Sequence, residues 1–316
     1  MPVHIQSSFW FSAWQRLRKN KGAVFGLITI AIALVVCIFG YYIAPDHSPN
    51  ANRMILEVSG QKPGFRMQFL LLPKEKPVDK SNFFERLLHG AEDKYDYIPI
   101  TAFKKNGDSI IIQKYVDEGI TELQAYHIKK LDTGKDEYVI TQTFWCGTDK
   151  FGRDILSRLI IGTRVSMAVG LIAVSISLSI GILLGLLAGY FRGSTDNIIM
   201  WFINVIWSIP TLLLVFAITI VLGKGFWQVF IAVGLTLWVS VARIIRTQVM
   251  SIRELQYVEA AKALGFTNAR IIFRHILPNV LGPVMVIAAA NFASAIVIEA
   301  GLSFLGVGVQ PPQPSW

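Results

Sequence analysis

Five apolar stretches limit what this chain can fold into, and they cover residues 23–42, 165–190, 198–222, 226–242 and 280–298. A stretch of about 20 apolar residues is long enough to cross a bilayer, and a helix satisfies its own backbone polar groups there. Hydrophobic residues make up 53% of the 316, which is too many for an ordinary soluble domain. The sequence therefore predicts an all-α integral membrane protein with five spans.

The first stretch follows a basic cluster, as the apolar region of a secretory signal does. It is longer than the roughly 7–15 residues typical of such a region, and no small-residue cleavage site follows it. We expect it to stay attached as an anchor. The sequence has two cysteines, Cys37 and Cys146, and we expect them to be unpaired thiols and not a disulfide. It has no C-x-x-C pattern that would predict a metal site.

Basic residues are concentrated beside the apolar stretches. The net charge is +9, yet residues 46–146 hold 14 basic against 15 acidic side chains, so they form no polycationic face and nucleic-acid binding is not expected. The excess lies at 16–21, at Arg192 and between Arg243 and Arg274. The positive-inside rule places these groups, and the N-terminus, in the cytoplasm. We expect Arg243 and Arg246 to act as snorkelling anchors at the inner interface.

Residues 46–146 contain no spanning stretch and predict a small extracytoplasmic α+β insert. Phe65–Leu72 favours a strand, and Lys105-Asn106-Gly107 favours a hairpin between runs 98–103 and 109–115. Ser81 is the expected cap of a short helix that ends near Leu88. The insert is expected to pack on its own membrane domain or on a partner.

Residues 147–166, G-T-D-K-F-G-R-D-I-L-S-R-L-I-I-G-T-R-V-S, follow the insert. Ile155, Leu159 and Ile160 fall on one helical face. The pattern predicts an amphipathic helix that lies at the membrane interface and leads into the second span.

A polar segment separates the last two apolar stretches, and its residues 259–278 read E-A-A-K-A-L-G-F-T-N-A-R-I-I-F-R-H-I-L-P. Gly265 is suited to the left-handed turn that ends a helix, and Pro278 is expected to prevent simple continuation of the next one. The pattern predicts a short helix that projects from the membrane domain and is bound there by another protein.

Three motifs resemble one family. Residues 259–278 resemble the EAA loop of bacterial ABC import permeases. Residues 147–154 resemble the G-T-D-x-x-G-R-D signature of the dipeptide/oligopeptide/nickel branch, in its C-type subunit. Residues 299–316, E-A-G-L-S-F-L-G-V-G-V-Q-P-P-Q-P-S-W, resemble the same branch. The resemblance covers 9–45 and everything from 147 onward but little of the insert. One departure is His275, where the family carries an aliphatic residue; we expect it to be an interface anchor.

The resemblance implies a type I permease bundle with a cytoplasmic N-terminus and first span at 1–45, the insert at 46–146, and a permease core at 147–316 with its coupling loop at 252–278. The family has six spans, so we expect truncation after Trp316. The residues expected to couple to the ATPase are Glu259, Ala260, Ala261, Gly265, Leu277 and Pro278. The extracytoplasmic signature residues are Gly147, Thr148, Asp149, Gly152, Arg153 and Asp154.

The resemblance also implies partners in the bacterial inner membrane. These are a homologous B-type permease, two cytoplasmic ATPases that hold ATP and Mg, and an extracytoplasmic substrate-binding protein. The sequence has no G-x-x-x-x-G-K-[S/T] phosphate loop, so this chain is expected to be neither an enzyme nor a cofactor carrier. Peptides are the expected substrates, and the resemblance leaves open their length and whether the substrate is instead a nickel chelate, glutathione or an antimicrobial peptide.

Polar residues within the stretches have two interpretations. Asn204, Ser208, Pro210 and Asn291 either line or hinge the translocation pathway, or they serve helix packing and a kink. Glu299 is expected to lie in water-accessible space at the outer end of its span. Few ionisable residues occur at mid-depth, which argues against a secondary, ion-coupled transporter. A membrane-anchored receptor or structural protein that acts through its insert is the other alternative.

Overall fold

The computed structural model describes residues 14–15, 17–75, 82–131, 138–223 and 225–316. The chain divides into two compact units, Met1–Arg164 and Val165–Trp316. Each unit is described by itself.

The first unit begins with helix α1, Lys21–Ile43. The Asn20 side chain caps it by accepting hydrogen bonds from the backbone N–H groups of Gly22 and Ala23, at 3.1 and 3.2 Å. The apolar window of α1 has no side chain buried by the rest of the chain. Its hydrophobic surface is therefore uncovered over this window, whereas Gly40 and Tyr41 near the end of the helix are buried.

The insert folds as a five-stranded antiparallel sheet with a short helix, which confirms the predicted α+β class. The strand order is β4-β3-β2-β1-β5. The strands and helix α2 are β1 (Phe65–Pro73), α2 (Phe83–His89), β2 (Tyr95–Asn106), β3 (Ser109–Asp117), β4 (Ile120–His127) and β5 (Val139–Phe144). The predicted hairpin joins β2 to β3, with Gly107 at φ +57°. The residue before α2 is Asn82, while Ser81 lies outside the described residues.

Alternating side chains of β1 bury the two faces of the sheet. Met67 and Phe69 pack with Ile55 and Phe144 in one cluster, and Leu70 belongs to another cluster that includes Ile112. Because successive strand residues point to opposite faces, this alternation gives the insert a core on each side of the sheet.

The second unit is helical, and helix α3 enters it from the first. The helices are α3 (Ile155–Phe191), α4 (Gly193–Trp207), α5 (Thr211–Leu222), α6 (Phe226–Ile252), α7 (Gln256–Ala263), α8 (Asn268–Ile271) and α9 (Leu277–Phe304), with a π-helical turn at Ile272–Ile276. By length and composition, α1, α3, α6 and the continuous segment Asn268–Phe304 can each span a membrane, and α4 with α5 makes a fifth if this bent pair is one span.

Glycines bring α3 against α6. Gly181, Gly185 and Gly189 recur every fourth residue, and a Cβ on any of them would come within 2.5–2.8 Å of atoms of α6. Small residues at this spacing let two membrane helices approach closely. The α6 residues they meet include Val241 and Val249, which are fully buried.

Two helices have bounds in the structure that differ from those predicted from the sequence. Residues 198–222 are not one helix: α4 ends at Trp207, α5 begins at Thr211, and their axes differ by 92°. Pro210 cannot donate a backbone hydrogen bond, so the predicted kink is a complete break. The predicted interface helix begins only at Ile155, where it forms the first turns of α3. Leu159 is exposed and Ser157 buried there, and the position of these turns at a membrane interface stays a prediction.

Candidate coupling segment and signature loop

The coupling segment, residues 252–278, presents a polar face on helix α7. Val258 and Ala261 point inward and are buried, whereas Glu259, Ala260 and Lys262 are exposed. Val258 and Ala261 pack in a cluster with residues of α3, α6 and α9. The segment therefore has an outer surface for a partner and an inner surface fixed to the helical core.

Gly265 ends α7 as predicted. Its φ is +76°, its N–H donates to the Lys262 carbonyl at 2.9 Å, and the Phe266 N–H donates to the Ala261 carbonyl at 3.1 Å. These two bonds form a Schellman motif, which needs a left-handed residue at the position of Gly265. The turn redirects the chain sharply without leaving helix carbonyls unpaired.

Tyr190, at the end of α3, ties the coupling segment to the core. Its hydroxyl donates to the Asn268 side chain at 2.8 Å, and its carbonyl accepts from Arg253 at 2.5 Å. The Lys262 ammonium lies 5.6 Å from the Tyr190 ring. Among the described residues no ion pair joins Glu259 to Lys262, so the Glu259 carboxylate is held by no partner within its own helix.

Pro278 lies at the start of α9, where a regular α-helix does not simply continue, as predicted, although the helical path is not broken. Residues Ile272–Ile276 form a π-helical turn immediately before it, and the helical path continues from Asn268 to Phe304. The wider turn accommodates the proline ring, which would clash with a carbonyl of a regular α-helix. Leu277 is half-buried and Pro278 exposed at this junction.

His275 packs within the coupling segment, and its role as an interface anchor stays a prediction. Its ring stacks on that of Phe266 at 6.2 Å between centroids, and its carbonyl accepts from the Asn279 side chain at 2.6 Å. The histidine that departs from the family pattern therefore packs the turn after α7 against the π-helical turn.

The signature loop, residues 147–154, is largely buried and joins the insert to the start of α3. The Thr148 hydroxyl donates to the Val58 carbonyl at 2.5 Å and accepts from the Gln61 N–H at 2.9 Å. The Arg153 guanidinium donates to Asn52 at 3.0 Å and to Asp149 at 2.7 Å. The signature residues thus act together as a structural junction.

Two glycines let the loop approach the insert. Gly147 and Gly152 have φ values of +78° and +72°, and a Cβ on either would overlap backbone atoms, those of Gln61 and Ile55 respectively. Only glycine fits both constraints. This explains the two glycines of the signature.

The two aspartates of the loop have opposite pKa shifts. Burial alone would raise the pKa of Asp149, but hydrogen bonds from the Arg153 side chain and from the Arg153 and Phe151 N–H groups bring it below its ordinary value. Burial raises the pKa of Asp154, although its carboxylate accepts bonds from the Ser157 N–H and hydroxyl. The ionised form is favoured at Asp149 and disfavoured at Asp154.

We expect Asp149→Asn to destabilise the first unit by about 1–2 kcal/mol at pH 7, because a charge-assisted bond to Arg153 is lost. Asp154→Asn is expected to cost less, since the amide oxygen still accepts from Ser157 and a buried charge is removed. Thermal unfolding of the two purified variants, compared with the unchanged protein, checks the order. A larger loss for Asp154→Asn would contradict it.

Asp149 and Asp154 are expected to change the folding stability of the first unit with pH in opposite directions. The stabilisation from Asp149 is present above the ordinary aspartate pKa and is lost as the pH falls through its lowered folded-state pKa. Asp154 disfavours folding when ionised, and this cost is relieved as the pH falls through its raised pKa.

The predicted pathway residues do not form one cluster of hydrogen bonds. Asn204 and Ser208 are exposed near the break after α4, and the Ser208 hydroxyl donates to the Val205 carbonyl at 2.7 Å. Asn291 is buried and donates to the Ser177 hydroxyl at 3.2 Å and to the Leu237 carbonyl at 3.3 Å. The helix-packing interpretation holds for Asn291, and a hinge at Pro210 stays a prediction.

Sequence reasoning missed the pairing of Arg246. Its guanidinium holds both carboxylate oxygens of Asp196, at 2.5 and 2.6 Å, while Arg243 lies 3.7 Å from the Trp207 ring centroid. Both arginines have a partner within the second unit, and their role as snorkelling anchors stays a prediction. The sequence feature that could have indicated this pairing is Asp196, an acidic residue beside a predicted span.

Glu299 is fully buried rather than water-accessible. One carboxylate oxygen accepts from the Ser303 hydroxyl at 2.6 Å. The same hydroxyl accepts from the Val309 N–H at 3.1 Å, so the carboxylate helps to fold the chain back after α9. Both cysteines are free thiols, as predicted.

Comparison with known proteins gave matches to two families. Residues 181–316 match the family described as binding-protein-dependent transport system inner membrane component, and residues 8–62 match the N-terminal TM domain of oligopeptide transport permease C. The dipeptide transport system permease protein DppC of Lactococcus lactis subsp. cremoris is 31% identical over 309 residues, which cover 98% of this chain and 77% of that protein.

Other relatives match over a shorter region. The oligopeptide transport system permease protein OppC of Bacillus subtilis is 40% identical over 172 residues, or 54% of this chain and 56% of OppC. The chain thus spans little more than half the length of such relatives. A solved structure of the MetNI methionine ABC transporter in an inward-facing conformation matches with a TM-score of 0.44 and 19% identity, over 48% of this chain and 76% of that one.

Proposed function

The chain belongs to the family of binding-protein-dependent transport permeases, and on that premise we propose that it is one membrane subunit of an ATP-driven peptide importer. It is a multi-pass membrane protein with several apolar helices. In this proposal the protein lies in the inner membrane of a bacterium. Its N-terminus and coupling segment face the cytoplasm, and the insert faces outward.

The observation that carries the proposal is the two-sided helix α7. Its outer face exposes Glu259 and Ala260, which suits a groove on a separate ATPase, and Val258 fixes its inner face to the core. Movement of the ATPases would displace α7 as a rigid element. Tyr190 and the continuous segment Asn268–Phe304 would carry that displacement to the membrane helices.

The remaining subunits follow from the same proposal. A homologous B-type permease completes the pathway, two cytoplasmic ATPases bind ATP and Mg, and an extracytoplasmic binding protein delivers the substrate. The proposed residues of the ATPase contact are the exposed Glu259, Ala260, Gly265 and Pro278. Ala261, which is buried, and Leu277, which is half-buried, are proposed to couple by fixing the segment to the core.

Peptides are the proposed substrate class. The relatives named for dipeptide, oligopeptide and glutathione transport all act on peptides or a peptide derivative. Most of the selectivity is assigned to the binding protein, because the membrane helices described here offer mainly apolar side chains and few ionisable ones.

We expect Glu259→Ala to lower peptide uptake and peptide-stimulated ATP hydrolysis about tenfold, the size of a coupling energy of roughly 1.4 kcal/mol. The exposed carboxylate makes no ion pair among the described residues, so the fold and membrane insertion should be unchanged. Uptake of a labelled dipeptide and ATP hydrolysis are measured in vesicles containing the whole transporter.

The matched control is Glu118→Ala, which removes an equally exposed carboxylate from the turn between β3 and β4 of the insert. It should leave both activities unchanged. Normal uptake by Glu259→Ala would refute the coupling role. Uptake that survives ATP depletion while the proton gradient is intact would instead support the secondary-transporter alternative.

A further inference from the structure

Helix α2 of the insert exposes an apolar face. Phe83, Phe84 and Leu88 have exposed fractions of 59%, 72% and 56%, and none of the seven residues of α2 is buried. Three large hydrophobic side chains on two helical turns form a patch that the described part of the chain leaves uncovered.

The position of this patch is fixed by contacts with the end of α1. The Tyr42 hydroxyl donates to the Phe83 carbonyl at 3.4 Å, and the two rings lie 5.6 Å apart. The Arg86 guanidinium lies 5.2 Å from the Tyr42 ring centroid. Because Tyr42 is in the last turn of α1, α2 lies at the level where that helix ends.

A second set of bonds holds the C-terminal end of α2. Arg164 donates to the carbonyls of Leu87 and Leu88, at 2.9 and 3.1 Å, and lies 5.2 Å from the Tyr41 ring centroid. The Ala91 N–H donates to the His47 carbonyl at 2.9 Å. The helix is therefore fastened at both ends, and its apolar side chains keep a defined height relative to α1.

That height coincides with a bilayer interface. Helix α1 has 23 residues, close to the number needed to cross a hydrocarbon core of about 30 Å. Its end at Ile43 thus marks the outer boundary of the core. Phe and Leu side chains of an amphipathic helix insert at this boundary between headgroups and acyl chains. The arginine of α2 can extend its charged group toward the lipid headgroups.

We propose that α2 is an interfacial helix, with Phe83, Phe84 and Leu88 inserted into the outer headgroup layer. Lipid is the occupant because Phe83 contacts Tyr42 in the last turn of α1, and the apolar window of that helix is uncovered. The helix would hold the insert at a fixed distance from the membrane. The inference rests on α1 crossing a membrane and is independent of what the protein transports.

A spin label at position 84 tests the proposal. In the full chain with Cys37→Ser and Cys146→Ser, Phe84→Cys is labelled with a nitroxide and reconstituted in phosphatidylcholine–phosphatidylglycerol vesicles. We expect severalfold greater accessibility to oxygen, which partitions into lipid, than to a water-soluble nickel chelate. The matched control is Leu123→Cys on edge strand β4, which is 75% exposed and should show the reverse.

Two results would overturn the proposal. A label at position 84 that is more accessible to the nickel chelate would place the patch in water. An immobile label inaccessible to both reagents would show a protein partner instead of lipid. Leu88→Cys, labelled in the same background, provides a second position if Phe84→Cys does not fold, and the same outcomes apply to it.

Discussion

Replacement of Gly152 by alanine is expected to destabilise the first unit by about 2–6 kcal/mol. The residue has a φ of +72°, which costs a residue with a Cβ about 1–3 kcal/mol. The new methyl group would also overlap the carbonyl of Ile55, and overpacking adds about 1–3 kcal/mol more. Because a backbone atom is in the way, no side-chain rotation relieves the clash.

Gly64→Ala is the control that separates the two costs. Gly64 has a φ of +84°, but nothing lies within 4 Å of the added methyl group. Only the backbone strain should remain, and the loss should be about 1–3 kcal/mol. The apparent Tm in detergent should fall by about 10 °C for Gly152→Ala and by a few degrees for the control. Equal shifts would show that the contact with Ile55 does not matter.

Local patterns were sufficient to predict many elements. The charge-free run before Tyr42 predicted α1, because such a run has no favourable environment except lipid. Gly265 predicted the end of α7, and Gly107 predicted the hairpin between β2 and β3. In each case the physical cause, an apolar run or a left-handed backbone angle, is contained in a few consecutive residues.

Long-range contacts were not predictable in the same way. Nothing near Gly152 in the sequence identifies Ile55 as its neighbour, and the motif alone predicted a helix where the structure has a buried loop. Pro278 predicted an interruption because a regular α-helix excludes it, but the preceding π-helical turn resolves the conflict. The cytoplasmic coupling role of Glu259 stays a prediction, because its partner is a separate chain.

The pair formed by Asp196 and Arg246 should give the largest interaction energy in the second unit. Their side chains are 12% and 24% exposed and join α4 to α6 through two parallel bonds. Asp196→Ala leaves the guanidinium largely buried and unpaired, which should cost about 3 kcal/mol. In a double-mutant cycle with Arg246→Ala we expect a coupling energy of about 2–3 kcal/mol, measured from the unfolding of the four purified proteins.

The ion pair between Arg192 and Glu254 provides the matched comparison. Its two atoms are also 2.5 Å apart, but the side chains are 37% and 67% exposed. Water and salt screen an exposed pair, and holding two long side chains together costs entropy. Glu254→Ala should therefore reduce the apparent Tm much less than Asp196→Ala, and raising the salt concentration should change the effect of Glu254→Ala more. Equal losses from the two substitutions would show that desolvation of the Asp196 pair is not what fastens α4 to α6.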